Sequence, residues 1–153
     1  MASNEYILMS RWRVEGTLEE VSDVLEDAEG LARWWPSVYL QVHQRPDGVV
    51  ELHTRGWLPY TLRWQFRVTH NRRPHGFSLE AWGDFVGRGE WTFTQNGRFA
   101  DIVYDWRIRA DKPILRYGSF LLKPFFAANH RWAMARGEES LKRELARRRA
   151  QRV

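Results

Sequence analysis

Between residues 38 and 110, turn signals cut the chain into short segments at the spacing that hairpins require. Asp47-Gly48 and Asn96-Gly97 are two-residue hairpin signals, Arg73-Pro74-His75-Gly76 reads as a looser turn, and Gly83-Asp84 as a further one. The segments between them predict strands over about 38–44, 49–56, 61–71, 76–82, 85–95 and 98–110. Successive hairpins build an antiparallel meander, and its apolar face has to be covered. The cover is predicted as a helix over 124–148. At about 100° per residue, Phe126, His130, Ala133, Met134, Gly137, Leu141 and Leu145 form one stripe, with Arg131, Glu138, Glu139 and Lys142 opposite.

Ahead of the meander, residues 5–15 alternate as a strand, with Tyr6, Leu8, Trp12 and Val14 on one face and Arg11, Arg13 and Glu15 on the other. Thr17-Leu18-Glu19-Glu20 is a T-x-x-E capping box and opens a helix carrying Leu18, Val21, Val24 and Leu25. A second helical turn, AEGLARWW, must end before Pro36, because a residue preceding proline avoids the helical region. The predicted class is α+β. A curved antiparallel sheet of about seven strands wraps a long C-terminal helix, with two short helices after the first strand. The length of 153 residues suits one domain, 1–153, burying roughly 68–70% of its unfolded surface.

The Asn96-Gly97 hairpin sets a register. A two-residue loop there places Trp91 opposite Ile102, Gly89 opposite Tyr104, Gly87 opposite Trp106 and Phe85 opposite Ile108, with Arg88 opposite Asp105 on the other face. Glycines 87 and 89 inside a strand imply a close approach, by facing aromatics, by the last helix or by a ligand. On the third long strand Leu62, Trp64, Phe66 and Val68 are expected on the concave face.

Composition narrows the function. No cysteine is present, which excludes a disulfide, a thiolate metal site and a Cys nucleophile and agrees with a cytoplasmic location. MASNEYILMSRW lacks the apolar region of a signal peptide, and YGSFLLKPFFAA is broken by Lys123 and Pro124, so no membrane span is expected. Residues 141–153 hold six of the 24 basic and one of the 19 acidic side chains, leaving 18 of each in residues 1–140. The charge is a helix end facing its own dipole, which disfavours nucleic acid as a partner. The segment after Ala146 is expected to be dispensable for folding.

No metal or cofactor is expected, since His43, His53, His70, His75 and His130 show no H-x-x-x-H or H-E-x-x-H spacing. GDFVGRGEW lacks the G-K-[ST] ending of a phosphate loop, and no G-x-S-x-G occurs.

The stretches LARWWPSV, GWLPYTLRWQFRV, EAWGDFVGRGEWTF, VYDWRIRADKP and NHRWAMARGEESL resemble the START-like superfamily, and within it the bacterial polyketide cyclase/dehydrase-like branch. The resemblance spans residues 5–145 and rests on LPYTL, GDxxGxG and NHxxxM. It implies the helix-grip fold, with a mostly apolar cavity between sheet and last helix. It leaves activity open, because members bind lipids, polyketides and hormones and only some catalyse.

The expected function is binding of a hydrophobic small molecule (lipid, polyketide or aromatic or isoprenoid compound), by a monomer or homodimer. Its expected contacts are Trp35, Trp57, Tyr60, Trp64, Phe66, Trp91, Tyr104, Trp106, Phe126 and Met134, with Asn129 and His130 orienting it. Nine tryptophans suit such a wall, and they equally suit a Trp-rich core. His130 reads either as a neutral core histidine paired to the sheet or as a cavity group. Its acidic partner would be Glu80 if Gly83-Asp84 is a strict two-residue turn, whereas a bulge would turn Phe77, Leu79 and Ala81 inward instead. A cyclase/dehydratase using His130 for proton transfer is the alternative, and an interaction or nucleic-acid-binding module using the basic C-terminus is a further one.

Overall fold

The computed structural model describes residues 5–55, 61–110 and 119–152. Seven strands form one antiparallel sheet: β1 (Glu5–Glu15), β2 (Tyr39–Gln44), β3 (Val50–Arg55), β4 (Thr61–Asn71), β5 (Gly76–Gly83), β6 (Phe85–Asn96) and β7 (Phe99–Ala110). The order is β1-β7-β6-β5-β4-β3-β2, so the meander runs in sequence and β1 closes it beside β7. Between β1 and β2 lie α1 (Leu18–Leu25), a 3-10 turn (Ala28–Gly30) and α2 (Leu31–Trp34). The last helix, α3 (Ser119–Arg152), packs on β1 and α1. This is the helix-grip architecture, a curled sheet holding one long helix.

Local chemistry accounts for the boundaries. Thr17 caps α1 with the reciprocal bonds of a capping box: its hydroxyl accepts from the Glu20 N–H at 3.1 Å, and its own N–H donates to Glu20 Oε1 at 2.9 Å. α2 ends at Trp35, immediately before Pro36. Met134, Leu141 and Leu145 are buried, as the helical stripe predicts.

Several expectations need correction. The β2–β3 loop has three residues, not two: Pro46-Asp47-Gly48 is closed by the Arg45 N–H donating to the Val49 carbonyl at 2.8 Å. In the β6–β7 hairpin the loop is Gly97-Arg98, and pairing starts at Asn96 opposite Phe99. Gly97 has φ 61 and no described non-glycine residue has positive φ, so the glycine takes the first loop position, as in a type II′ turn. The register therefore moves by two residues. Trp91 faces Tyr104, Gly89 faces Trp106, Gly87 faces Ile108 and Phe85 faces Ala110.

Arg88 faces Arg107 rather than Asp105, and Arg107 pairs with Asp105 along its own strand at 3.1 Å. Because the slip is even, every side chain keeps its predicted face. Around Gly83-Asp84 the bulged alternative holds: Phe77, Leu79 and Ala81 are buried and Glu80 is exposed, so Glu80 does not partner His130. Val68 is 42% exposed beside a bulge between Val68 and His70.

The basic C-terminal segment is built into the fold. Glu144 is 4% exposed and accepts from three arginines, Arg33 (3.0 Å), Arg147 (2.8 Å) and Arg148 (2.8 Å). These bonds, led by Arg147, hold the carboxyl down at about 2. Arg149 bonds Glu20 (3.0 Å) and the Glu15 carbonyl (2.6 Å), tying the helix end to α1 and β1. Further along α3, Glu138 accepts the backbone N–H of Arg13 at 3.0 Å. These contacts argue against the expectation that residues after Ala146 are dispensable. No helix among the described residues is long and apolar enough to cross a membrane.

Candidate functional site

Strand alternation fills the inner face with rings. From α2 inward, centroids run Trp34–Trp35 at 5.5 Å, Trp35–Trp12 at 5.6 Å, Trp12–Trp91 at 5.5 Å, Trp91–Tyr104 at 4.0 Å and Tyr104–Trp106 at 5.5 Å. Trp106 continues to Trp64 at 5.7 Å, and Trp64 to Phe66 at 6.1 Å. Each such contact contributes about 0.5–1.5 kcal/mol beyond area burial, so the wall is stiff.

Two glycines make room for it. A Cβ on Gly89 would lie 2.7 Å from the Tyr104 hydroxyl and 2.9 Å from the Trp106 ring, so the space over this glycine belongs to the facing aromatics. A Cβ on Gly137 would lie 2.3 Å from the Trp35 ring, which lets the indole lie against α3.

A row of uncharged polar groups interrupts the wall. Ser10 pairs in register with Tyr104 across β1 and β7, and its hydroxyl lies 3.4 Å from His130 Nε2 on α3. His130 is half-buried. Loss of solvation, with a smaller contribution from the Arg131 cation, lowers it to about 4, so the imidazole is neutral at pH 7. Tyr39 sits 5.1 Å from Trp35, ring to ring. Burial pushes both the Tyr39 and the Tyr104 phenol well above the ordinary value, Tyr104 further through its proximity to Tyr39. Neither hydroxyl has a hydrogen-bond partner among the described residues. Trp64 donates its N–H to Thr54 Oγ1 at 3.0 Å.

Of the residues singled out from sequence, Trp35, Phe66, Trp91, Tyr104, Trp106 and Met134 are buried, while Trp64, Asn129 and His130 are half-buried. The ring contacts join Trp35, Trp91, Tyr104, Trp106, Trp64 and Phe66 into one path through Trp12. Trp57 and Tyr60, with residues 58–60 of the LPYTL motif, lie outside the described residues, as does the side chain of Phe126. Ser10, Trp12 and Tyr39 were missed as site residues. Ser10 had a signal, being the one polar residue in the inward register Tyr6, Leu8, Ser10, Trp12, Val14. Tyr39 had none, since the bulge between Tyr39 and Gln41 decides its face.

On the outer face, Gln41, His43, Glu51, His53, Arg63 and Gln65 line an open groove. Among the described residues, no group of three or more His, Asp or Glu side chains could hold a metal ion.

No family model and no curated protein matches this chain. Solved structures do. A conserved protein from Geobacillus kaustophilus aligns at TM-score 0.72 and 14% identity, over 93% of this chain and 96% of its own. The Zhui aromatase/cyclase from Streptomyces sp. R1128 aligns at 0.71 and 18%, over 94% and 95%. A START superfamily protein from Mycobacterium smegmatis aligns at 0.68 and 11%, over 92% and 97%. What is shared at these identities is the fold: the chain has the START-like, polyketide cyclase-type fold.

Proposed function

We propose that this chain binds a hydrophobic small molecule between the inner face of its sheet and α3. The observation that carries the reading is the row Ser10, Tyr104 and His130 set within a continuous wall of indole and phenyl rings. Such a surface offers apolar contact over a wide area and a few fixed polar points, which is the make-up of a small-molecule site. Trp35, Trp64, Phe66, Trp91, Trp106 and Met134 supply the wall, and Asn129 and His130 orient the ligand. Trp57, Tyr60 and Phe126 remain expected contacts from sequence. The fold neighbours titled START superfamily protein and aromatase/cyclase are compatible with a lipid, a polyketide or another aromatic or isoprenoid compound.

Native mass spectrometry of protein purified without detergent tests the reading. A co-purifying apolar species, lost on organic extraction and weakened by His130→Leu, is the expected result. Ligand-free protein that also fails to bind neutral aromatics would end the proposal.

One observation favours a second reading, a cyclase/dehydratase-type enzyme. His130 is neutral at pH 7 and has one nitrogen near a hydroxyl, the state a general base needs. Turnover of a polyketide-like substrate that disappears in His130→Gln, with binding retained, would move the assignment there.

A further inference from the structure

We infer that the free edge of β1 is an interface for a second copy of this chain: residues 5–11 of two copies pair antiparallel about a two-fold axis at Leu8, joining their sheets edge to edge. The inference is independent of the ligand reading above.

β1 stands at the margin of the sheet, so one side of its backbone meets β7 and the other meets no strand. Two bonds to α3 show which residues point outward: the Arg13 N–H donates to Glu138 at 3.0 Å, and the Glu15 carbonyl accepts from Arg149 at 2.6 Å. Backbone direction alternates along a strand, so Glu5, Ile7, Met9 and Arg11 turn their N–H and C=O groups the same way. The helix guards only the Arg13–Glu15 end. On this side the main-chain groups of Ile7, Met9 and Arg11 have no partner among the described residues.

Edges of this kind template another strand unless a lysine, a proline or a bulge blunts them. Residues 5–11 contain no Lys and no Pro, and they pair with β7 without a shift. Instead, Ile7 and Met9 are 69% and 52% exposed, the two most exposed large hydrophobic side chains among the described residues. Arg11 lies beside them on the outer face, its guanidinium 3.9 Å from the Met9 sulfur. Arg13 is bound to Asp101 at 2.6 Å, whereas Arg11 has no carboxylate partner among the described residues.

The occupant that fits is the same strand turned round. With the axis at Leu8, the outward main-chain groups of the two copies meet as hydrogen-bonded pairs: Ile7 of each opposite Met9 of the other, and Glu5 of each opposite Arg11 of the other. Apolar residues then face apolar ones, and opposite charges face each other directly. A foreign strand would have to carry that order by design, while a two-fold contact supplies it from one sequence.

Sedimentation velocity of the full chain at rising concentration tests this, and a monomer–dimer equilibrium is expected. Arg11→Glu, which sets like charges opposite each other at both ends of the contact, should weaken the dimer about tenfold, and adding Glu5→Arg should restore it. Met9→Pro removes a donor that β7 does not use, so it should abolish the dimer and leave the circular dichroism of the fold unchanged. Because the native chain has no cysteine, Leu8→Cys introduces a single thiol. Its copy lies opposite at about 4.5 Å between Cα atoms, and mild oxidation should link the two, while Ser10→Cys should link far more slowly. A monomer at every concentration overturns the inference. So does a dimer that persists unchanged in Arg11→Glu, which places the contact elsewhere, and so does linking of Ser10→Cys as fast as Leu8→Cys. Should Met9→Pro unfold, the reversal and restoration of the charges decide alone.

Discussion

At the C-terminal end of α3, Leu141 and Leu145 share a buried cluster with Val14, Val21, Val24 and Ile102, all of them 2% exposed or less. Some ten residues earlier on the same helix, His130 meets Ser10, the register partner of Tyr104. The buried carboxylate of the first region, Glu144, is gripped by three arginines, whereas the second keeps two phenols without hydrogen-bond partners among the described residues. The contrast teaches where each kind of residue acts. Branched aliphatics fill one end to crystal-like density and hold the fold, and rigid amphipathic rings leave the other end able to exchange contacts.

Leu141→Ala should separate the two regions most sharply. It removes side-chain volume at a site with no exposure, and should cost about 2–5 kcal/mol in urea unfolding while leaving affinity for neutral aromatics unchanged. A similar loss of affinity would mean the two ends are one unit. Glu144→Gln comes next, at about 2–3 kcal/mol, below a fully buried pair because Arg33 and Arg147 keep side-chain exposures of 50% and 45%. Ending the chain after Ala146 should cost a similar amount, and an unchanged midpoint would return the basic segment to the status of a tail.

Gly137→Ala probes the border between the regions. Alanine gains about 1 kcal/mol in helix propensity, but its Cβ would press on a rigid indole, so a net loss of about 1–2 kcal/mol and altered Trp35 near-ultraviolet dichroism are expected.

The smallest effect is read from pH. His130 falls from its ordinary 6.5 to about 4, so between these values the unfolded chain binds more protons and stability is lost as pH falls from 6.5 to 4. Allowing for the ring's partial exposure, about 1 kcal/mol is at stake, and His130→Gln should flatten this limb. Glu144 is lowered from 4.5 to about 2, so its contribution is present above 4.5 and lost between 4.5 and 2. Acid should therefore loosen the aromatic end before the aliphatic one. Hydrogen exchange that shows one simultaneous opening would refute that order.

Much of this was legible in the sequence because dense turn chemistry and helix periodicity act locally. Strand limits agree closely with the predicted ones, and the stripe through Met134, Leu141 and Leu145 is buried. What failed depended on single residues choosing between near-equal geometries. Gly97 took the first loop position rather than the second, moving all β6–β7 pairs while keeping their faces. Glu80 followed a bulge outward. The arginines after Ala146 read as a solvated helix end because a buried glutamate three residues before Arg147 gives no local sign of its burial. The ring path was partly visible, as separate residues on the correct face. Its continuity through Trp12 needed β1 to close beside β7, a long-range pairing that no local pattern encodes.

The bond from the Arg13 N–H to Glu138 bears on solubility. β1 is an eleven-residue strand at the margin of the sheet, and its outer main-chain groups would otherwise template pairing with another molecule. Glu138 occupies one of those donors and Arg149 one of the acceptors, so a helix lends side chains where an eighth strand would lend backbone. At the opposite margin, β2 is only six residues long and bulged, a shape that resists extension. Loosening α3 would thus leave the chain with a sticky border as well as an open interior, and mild heating would turn a folded chain into a seed for intermolecular sheet.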